Sequence, residues 1–238
     1  MGFYEQLSLY YDEIFPANAQ ELRFAAQLLD GRTRLLDMGC GTGNKTAVLA
    51  EGIREVEAFD SDPGMIAKAA AINASPNIRY RILDLMDVDR VFAPESFDAA
   101  LCLGNTLVHL TEPGAIDSFL AKTASVLKSG GMFLLQILNY DDILDKKITS
   151  LPRIETDRAS FSREYVWQDG VMHFVTELRI KEGDQRLPND IVLVPLRRDA
   201  LADGLAAAGF GVVEYYGNYA GEPYSDTSFH LIAKATKA

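Results

Sequence analysis

Residues 37–46 read DMGCGTGNKT and follow the short apolar run RLL at 34–36. A strand-like run that breaks into three closely spaced glycines marks a sharp strand-to-helix turn, and glycine lets a ligand approach the backbone closely. A triphosphate loop needs GxxxxGK followed by Ser or Thr, and Gly39 to Thr46 supply every position except the glycine before the lysine, which is Asn44. That glycine gives the backbone freedom to wrap a phosphate, and no Walker B run follows. A dinucleotide fingerprint, GxGxxG, would again put its third glycine at Asn44. The glycines stand instead at Gly39, Gly41 and Gly43, with Asp37 just ahead of them. Spacing alone leaves open a purely structural turn or a loop for a ligand without phosphate.

Working outward, RLLDM (34–38) reads as the first strand and KTAVLAEGI (45–53) as a helix. VEAFD (56–60), IRYRILD (78–84), FDAALCL (97–103) and MFLLQIL (132–138) are further strands. Helices at 63–73, with Pro63 suited to a first turn, and at about 114–127 separate them. Strands alternating with helices predict an α/β protein with a parallel, doubly wound sheet. From 139 to 196 the pattern changes: FSREYVW, MHFVTELRI and DIVLVPL are strand-like runs joined by turns, an inserted antiparallel meander. A last helix (199–210) and two strands, GVVEYYGNY and SFHLIAKA, close the chain and are expected to pair antiparallel. The expected organisation is a Rossmann-like core of seven mostly parallel strands with an antiparallel final strand, formed by 1–138 and 197–238. The insert, 139–196, is expected to be a β lid or a dimerisation subdomain.

Of 238 residues, 23 are Lys or Arg and 34 Asp or Glu, a formal net charge of −11 that repels a phosphate backbone; nucleic acid is not an expected partner. Cys40 and Cys102 form no metal-ligand or disulfide pattern, and no zinc or other metal site is expected. No stretch holds 18 consecutive apolar residues, and the N-terminus MGFYEQLSLYYDEIFP lacks the pattern of a signal peptide. The expected setting is the cytoplasm, away from membranes, as a monomer or homodimer.

The acids that accompany the loop narrow its ligand. Asp60 ends the second strand, where a carboxylate can accept from two ribose hydroxyls; Asp84 ends the third, and Asn105 follows the fourth in LGN (103–105). Carboxyl ends of parallel strands are where open α/β sheets bind ligands. With these residues in order, the sequence resembles the class I S-adenosylmethionine-dependent methyltransferases over nearly its whole length. LLDMGCGTG (35–43), VEAFDSDPGMI (56–66), YRILDLMDV (80–88), FDAALCLGNTLVHL (97–110) and LKSGGMFLL (127–135) look like the family's successive motifs. The resemblance implies S-adenosylmethionine as cofactor, with Asp37 at the methionyl amine, Asp60 at the ribose, Asp84 at the adenine amino group and Leu85 and Met65 beside the ring. It implies contacts from Gly39, Cys40, Gly41, Gly43, Ser61 and Leu103 as well. An NAD-linked oxidoreductase is disfavoured by the displaced glycine and by the lack of a Tyr-xxx-Lys pair; a non-catalytic cofactor binder is the other alternative.

The motifs FDAALCLGNTLVHL and LQILNYDDIL (135–144) look most like the glycine and sarcosine N-methyltransferase branch, whose LGN asparagine and RNYD arginine bind an amino-acid carboxylate. Asn105 matches the first, but Leu138 stands where that arginine would be, removing a bidentate fork. Arg163, Arg197 and Arg198 are the arginines that would have to replace it from the insert and its border. A small acceptor, an amine or a related molecule, is therefore expected. Tyr11, Asn105, His109 and Asn139 are the expected acceptor-site and catalytic residues, with Tyr140 and Tyr219 as further lining. Tyr10 and Tyr11, in LYYDEIF, resemble a lead-in that folds over the cofactor. His173, His230 and Trp167 are read as structural, Trp167 as packed in the core.

Overall fold

The computed structural model describes residues 2–238. Five strands, β1 (Arg34–Met38), β2 (Glu55–Asp60), β3 (Ile78–Ile82), β4 (Phe97–Cys102) and β5 (Leu127–Leu138), run parallel in spatial order β3-β2-β1-β4-β5. β1, β2 and β4 are near-continuous apolar runs because helices cover both faces. On one face α3 (Ala19–Leu29) and α4 (Asn44–Leu49) bury Phe24, Ala25 and Leu49 against Leu35, Val56 and Leu101. On the other, α6 (Val88–Val91), α7 (Ala115–Val126) and α9 (Arg198–Ala207) pack on Leu36, Phe133 and Leu135. α5 (Pro63–Ile72) crosses from β2 to β3 with Pro63 in its first turn and Asp62 capping it through the Met65 amide.

The last two strands, β10 (Phe210–Tyr216) and β11 (His230–Lys237), pair antiparallel as expected. β11 lies one place in from the edge, between β5 and β10 and antiparallel to both. Composition explains the order: β11 is buried at Leu231, Ile232, Ala233 and Ala235, whereas β10 exposes Gly211, Val212 and Glu214.

The insert is a separate antiparallel sheet, β6 (Ser150–Glu155), β7 (Ala159–Gln168), β8 (Val171–Ile180) and β9 (Gln185–Leu193), in that spatial order. α8 (Tyr140–Asp145) precedes it, where the sequence pattern predicts only strands, because Asn139 caps a helical turn. β9 extends back through residues read as a turn, and Pro188 is accommodated because β9 is an edge strand. One face of this sheet rests on α1 (Phe3–Ser8) and α2 (Tyr11–Ile14): Phe161, Leu178 and Ile180 pack with Leu7, Ile14 and Met65. Trp167, expected in the core, is 54% exposed. It stands next to the tip of the β7–β8 hairpin, beyond the reach of the body beneath. Among the described residues no helix is long and apolar enough to cross a membrane.

Candidate active site

The carboxyl ends of β1 and β2 are tied together before any ligand is considered. The amides of Gly39 and Cys40 both donate to the Phe59 carbonyl, at 2.8 and 2.9 Å. Gly39 has φ 74°, and a Cβ there would come within 2.6 Å of Thr106 Cγ2, so only glycine fits between β1 and the turn after β4. Asp60 holds the loop from β2: its Oδ2 accepts from Gly41 N at 3.0 Å and its Oδ1 from Asp62 N at 3.0 Å. Burial pushes the Asp60 carboxyl upward, against the pull of those amide hydrogen bonds.

Asp37 lies beneath the loop, buried, with Oδ2 accepting from Thr46 Oγ1 at 2.6 Å. Burial pushes its pKa up to about 6, although the Thr46 hydroxyl and the Lys45 charge both oppose the shift. Lys45 itself is spoken for by Glu21, Nζ to Oε1 at 2.6 Å, and Glu21 is only 5% exposed. Tyr219 extends this network, its hydroxyl lying 3.2 Å from Glu21 Oε1 and 3.4 Å from Gln136 Oε1, which also accepts from Gly104 N at 2.8 Å. The lysine and threonine that mimic a phosphate loop thus serve internal carboxylates.

Tyr11 lies against the loop: a Cβ on Gly41 would be 3.3 Å from its ring. Asp12 fixes α2 there, accepting from Thr42 Oγ1 and pairing with Lys68 Nζ at 3.0 Å. Tyr10 turns instead to the insert, where the Arg158 guanidinium sits 4.7 Å above its ring and also bonds Glu13 at 2.6 Å. Asp84 is exposed at the end of β3, one oxygen capping the Leu85–Asp87 turn through Met86 N at 2.8 Å. Leu85 is half-buried, Ser61 exposed and Cys40 partly exposed, with burial holding the Cys40 thiol well above its ordinary value. Leu103 is buried on the α3–α4 side, and Met65, expected beside the adenine, is buried beneath α1, α2 and the inserted sheet.

The acceptor candidates divide. Asn105, in left-handed backbone at φ 69°, has its amide NH2 on Tyr140 Oη at 3.1 Å, and its Oδ1 accepts from Leu138 N at 3.0 Å. Asn139 is 1% exposed: Nδ2 donates to the carbonyls of Ser225, Asp226 and Ser228, and Oδ1 accepts from Asp141 N, Asp142 N and Tyr224 Oη. Those bonds use the full capacity of its carboxamide, which ties α8 to the segment before β11. His109 ends the Thr106–His109 turn with its ring exposed, yet the protein mass around it holds its pKa below the ordinary histidine value. His173 pairs with Asp190 at 2.8 Å, and His230, whose pKa burial lowers, lies against the Tyr219 ring. Arg197 is held by the largely buried Asp141 and by the exposed Asp145, and Arg198 by Asp199 at the surface.

Gln136, Glu21 and Thr46 were not singled out from the sequence. The signals were there in part: a glutamine interrupting MFLLQIL is a polar residue in a buried run, and Thr46 belongs to the opening stretch. Nothing local marks Glu21 as the partner of Lys45. A surface hollow of about 460 Å³ between α3 and α4 opens at the other end of the sheet, away from all these residues. No group of three or more His, Cys, Asp and Glu residues suited to a metal occurs among the described residues.

A family model described as a methyltransferase domain matches residues 35–131. The glycine/sarcosine N-methyltransferase of Aphanothece halophytica is 32% identical over 211 residues, covering 87% of this chain and 77% of the relative. The chain belongs to the S-adenosylmethionine-dependent methyltransferases. The glycine/sarcosine N-methyltransferase of Halorhodospira halochloris is 30% identical over 195 residues, 79% of this chain and 69% of its own. The fold of this methyltransferase is shared with the CcbJ methyltransferase of Streptomyces caelestis, at TM-score 0.80 and 20% identity over 100% of this chain and 99% of that one. The cradle fits S-adenosylmethionine: the amides of Gly39, Cys40, Gly41 and Gly43 are already bonded within the protein rather than free for a phosphate, Asp37 is a buried carboxylate with no cation bonded to it among the described residues, and Asp60 retains lone pairs after its two amide bonds.

Proposed function

We propose that this methyltransferase methylates the nitrogen of a small amine. The observation that carries the reading is the meeting of Tyr11, the glycine loop and the Asn105–His109 turn at one sheet edge, beneath an inserted sheet that rests on α1 and α2. The curated relatives named as glycine/sarcosine N-methyltransferases support an amine rather than a phenol or a macromolecule.

S-adenosylmethionine, when bound, supplies an electrophilic methyl group on a sulfonium with a neutral leaving group. The chain's tasks are then to hold, align and dehydrate, since proximity and orientation account for much of the rate of such a displacement. Asp37 offers its carboxylate to the methionyl ammonium, Asp60 its remaining lone pairs to the ribose, and Asp84 its free oxygen to the adenine amine. Tyr11 presents its ring to the positive sulfur. An amine must lose its proton to attack. His109 is the last residue of that turn, burial holds its pKa below the ordinary histidine value so that the free base is favoured, and its role is to take that proton. The insert, 139–196, acts as a lid, because its inward face is apolar where it meets the α1–α2 lead-in.

Calorimetry with S-adenosylmethionine, NAD and ATP, followed by radiolabelled methyl transfer to amines, amino acids and phenols, tests the reading. Cofactor binding with turnover of amines is the expected result. Cofactor binding with transfer only to phenols would replace the acceptor class, and binding with no transfer to any class would leave a non-catalytic binder.

A further inference from the structure

The inward face of the inserted sheet carries a polar row between two apolar ones. Strand alternation places Phe161, Arg163 and Tyr165 of β7 on that face, opposite Leu178, Thr176 and Phe174 of β8. Phe161 and Leu178 pack on the lead-in helices, and Tyr165 packs with Tyr140 in the main core. Arg163 and Thr176 stand between.

Arg163 Nε and Thr176 Oγ1 are buried here without a hydrogen-bond partner among the described residues, and the buried Tyr165 Oη meets the Tyr140 hydroxyl. Thr176 and Tyr165 are each only 3% exposed. Arg163 donates from Nη2 to the Pro152 carbonyl at 2.7 Å and has no carboxylate partner among the described residues. The insert's other arginines, Arg153, Arg158, Arg179 and Arg186, are each paired with an acid. Burial pulls the Arg163 guanidinium below its ordinary value, with only the nearby Tyr165 hydroxyl acting against it. Buried hydrogen-bonding atoms and a half-buried cation left unsatisfied are costly, and natural structures seldom keep them without a use. The row also reaches the catalytic edge: beside Tyr165 lies Tyr140, whose hydroxyl is bonded by Asn105 of the LGN turn at 3.1 Å.

We propose that Arg163, with the hydroxyls of Thr176 and Tyr165, binds the carboxylate of an amino-acid-like methyl acceptor, so that the lid supplies the anion site and the sheet edge supplies the cofactor. One guanidinium balances one negative charge and the hydroxyls can donate hydrogen bonds to it, which suits a carboxylate better than a phosphate dianion. This deepens the small-amine reading and rests on it.

The test uses the full chain with S-adenosylhomocysteine for binding and with S-adenosylmethionine for turnover. Glycine, sarcosine, β-alanine, γ-aminobutyrate and anthranilate are each compared with their carboxamides. At least one acid is expected to bind and react better than its amide by roughly 10- to 100-fold, the range of a lost charged hydrogen bond. Arg163→Leu is expected to erase that preference by raising KM for the acid, while cofactor affinity and melting temperature stay near the parent's; Arg163→Lys is expected to restore part of it. The comparison of acid with amide on the unaltered protein stands even if the Leu variant fails to fold. Equal treatment of acids and amides, an unchanged preference in Arg163→Leu, or no binding of any acid would each overturn the proposal. Methylation of neutral amines with no such preference would do so while leaving the amine reading intact; binding of acids without transfer would sink the amine reading and leave the anion site standing.

Discussion

The two ends of the central sheet treat their aspartates in opposite ways. At the amino end Asp98, the second residue of β4, accepts from Thr33 N at 3.1 Å, Thr33 Oγ1 at 2.8 Å and Arg34 N at 2.9 Å, and pairs with Lys128 at 2.6 Å. Burial would push its carboxyl up, but that partner set holds it well below the usual range. At the carboxyl end Asp37 and Asp60 are shifted the other way by burial, and neither has a cation bonded to it among the described residues. An acid surrounded by partners is finished structure. An acid that is desolvated and short of partners keeps acceptor capacity for a ligand; in the function proposed above, Asp37 meets the cofactor's ammonium and Asp60 its ribose hydroxyls.

The largest effect that sharpens this contrast is expected from Gly39→Ala. Positive φ costs an alanine about 1 to 2 kcal/mol, and the clash with Thr106 adds a comparable amount. The melting temperature falls and cofactor affinity drops by more than 10-fold, because the turn that holds Asp37 near the Asn105 turn must open. Unchanged calorimetric affinity would mean that the glycine loop does not set the cofactor site.

A mirrored pair comes next. Asp98→Ala is expected to cost about 2 kcal/mol of stability, since several charged hydrogen bonds are lost together, with cofactor affinity unchanged at temperatures where the protein is folded. Asp60→Ala is expected to do the reverse, costing about 2 kcal/mol of cofactor binding and, because burial of the carboxylate offsets its two amide hydrogen bonds, less stability than Asp98→Ala. Denaturant unfolding and calorimetry on both variants separate the two; equal losses in both readouts for both variants would erase the distinction between the ends.

This contrast marks how far the sequence could be read. The strands and their succession along the chain followed from apolar runs alternating with helical spacing, and Gly39, Gly41, Gly43 and Asp60 lie at the carboxyl ends of β1 and β2. Period-two and period-3.6 patterns report which face is buried, so β1 to β5 were legible. They do not report which strand lies beside which, and β11 therefore sits inside β10 rather than at the edge. Asn139 and Asn105 were legible as important positions but not as to their bonds, because an asparagine that caps a helix and one that meets a substrate look alike in one dimension. Arg163 was one of three arginines that could replace the missing fork, and only the register of β7 on β8 placed it inward.

Acid titration probes the same contrast without mutation. Asp37 has a folded pKa of about 6 against an ordinary value of 3.8, so the folded chain binds more protons between those values than the unfolded one. Its penalty at neutral pH, on the order of 3 kcal/mol, is relieved as the pH falls through about 6. Asp98 runs the other way: its stabilisation is present above its unfolded pKa of 3.8 and is lost as the pH falls below that toward its lowered folded value. The ligand-free melting temperature should therefore gain from Asp37 between pH 7 and 5, while cofactor affinity falls over the same interval as its carboxylate is neutralised. Asp37→Asn should flatten both trends. If stability and affinity move together between pH 7 and 5, Asp37 is not the group that meets the cofactor's ammonium.

The smallest effect is expected at Tyr11, and its size is informative. The ring touches the glycine loop from α2, and α2 is anchored there by Asp12 through Thr42 and Lys68 rather than by Tyr11 itself. Replacing Tyr11 with Leu keeps much of the apolar contact with Phe15 and removes the π face, so stability should change little. A sulfonium loses about 0.5 to 2 kcal/mol of attraction, whereas S-adenosylhomocysteine, whose sulfur is neutral, loses almost none. The decisive quantity is therefore the ratio of the two affinities in parent and variant. A ratio that shifts toward the neutral ligand by a few-fold identifies Tyr11 as the group facing the charged sulfur. Parallel losses for both ligands identify it as packing for the loop, and the ready-made charge complementarity of the carboxyl end then rests on its aspartates alone.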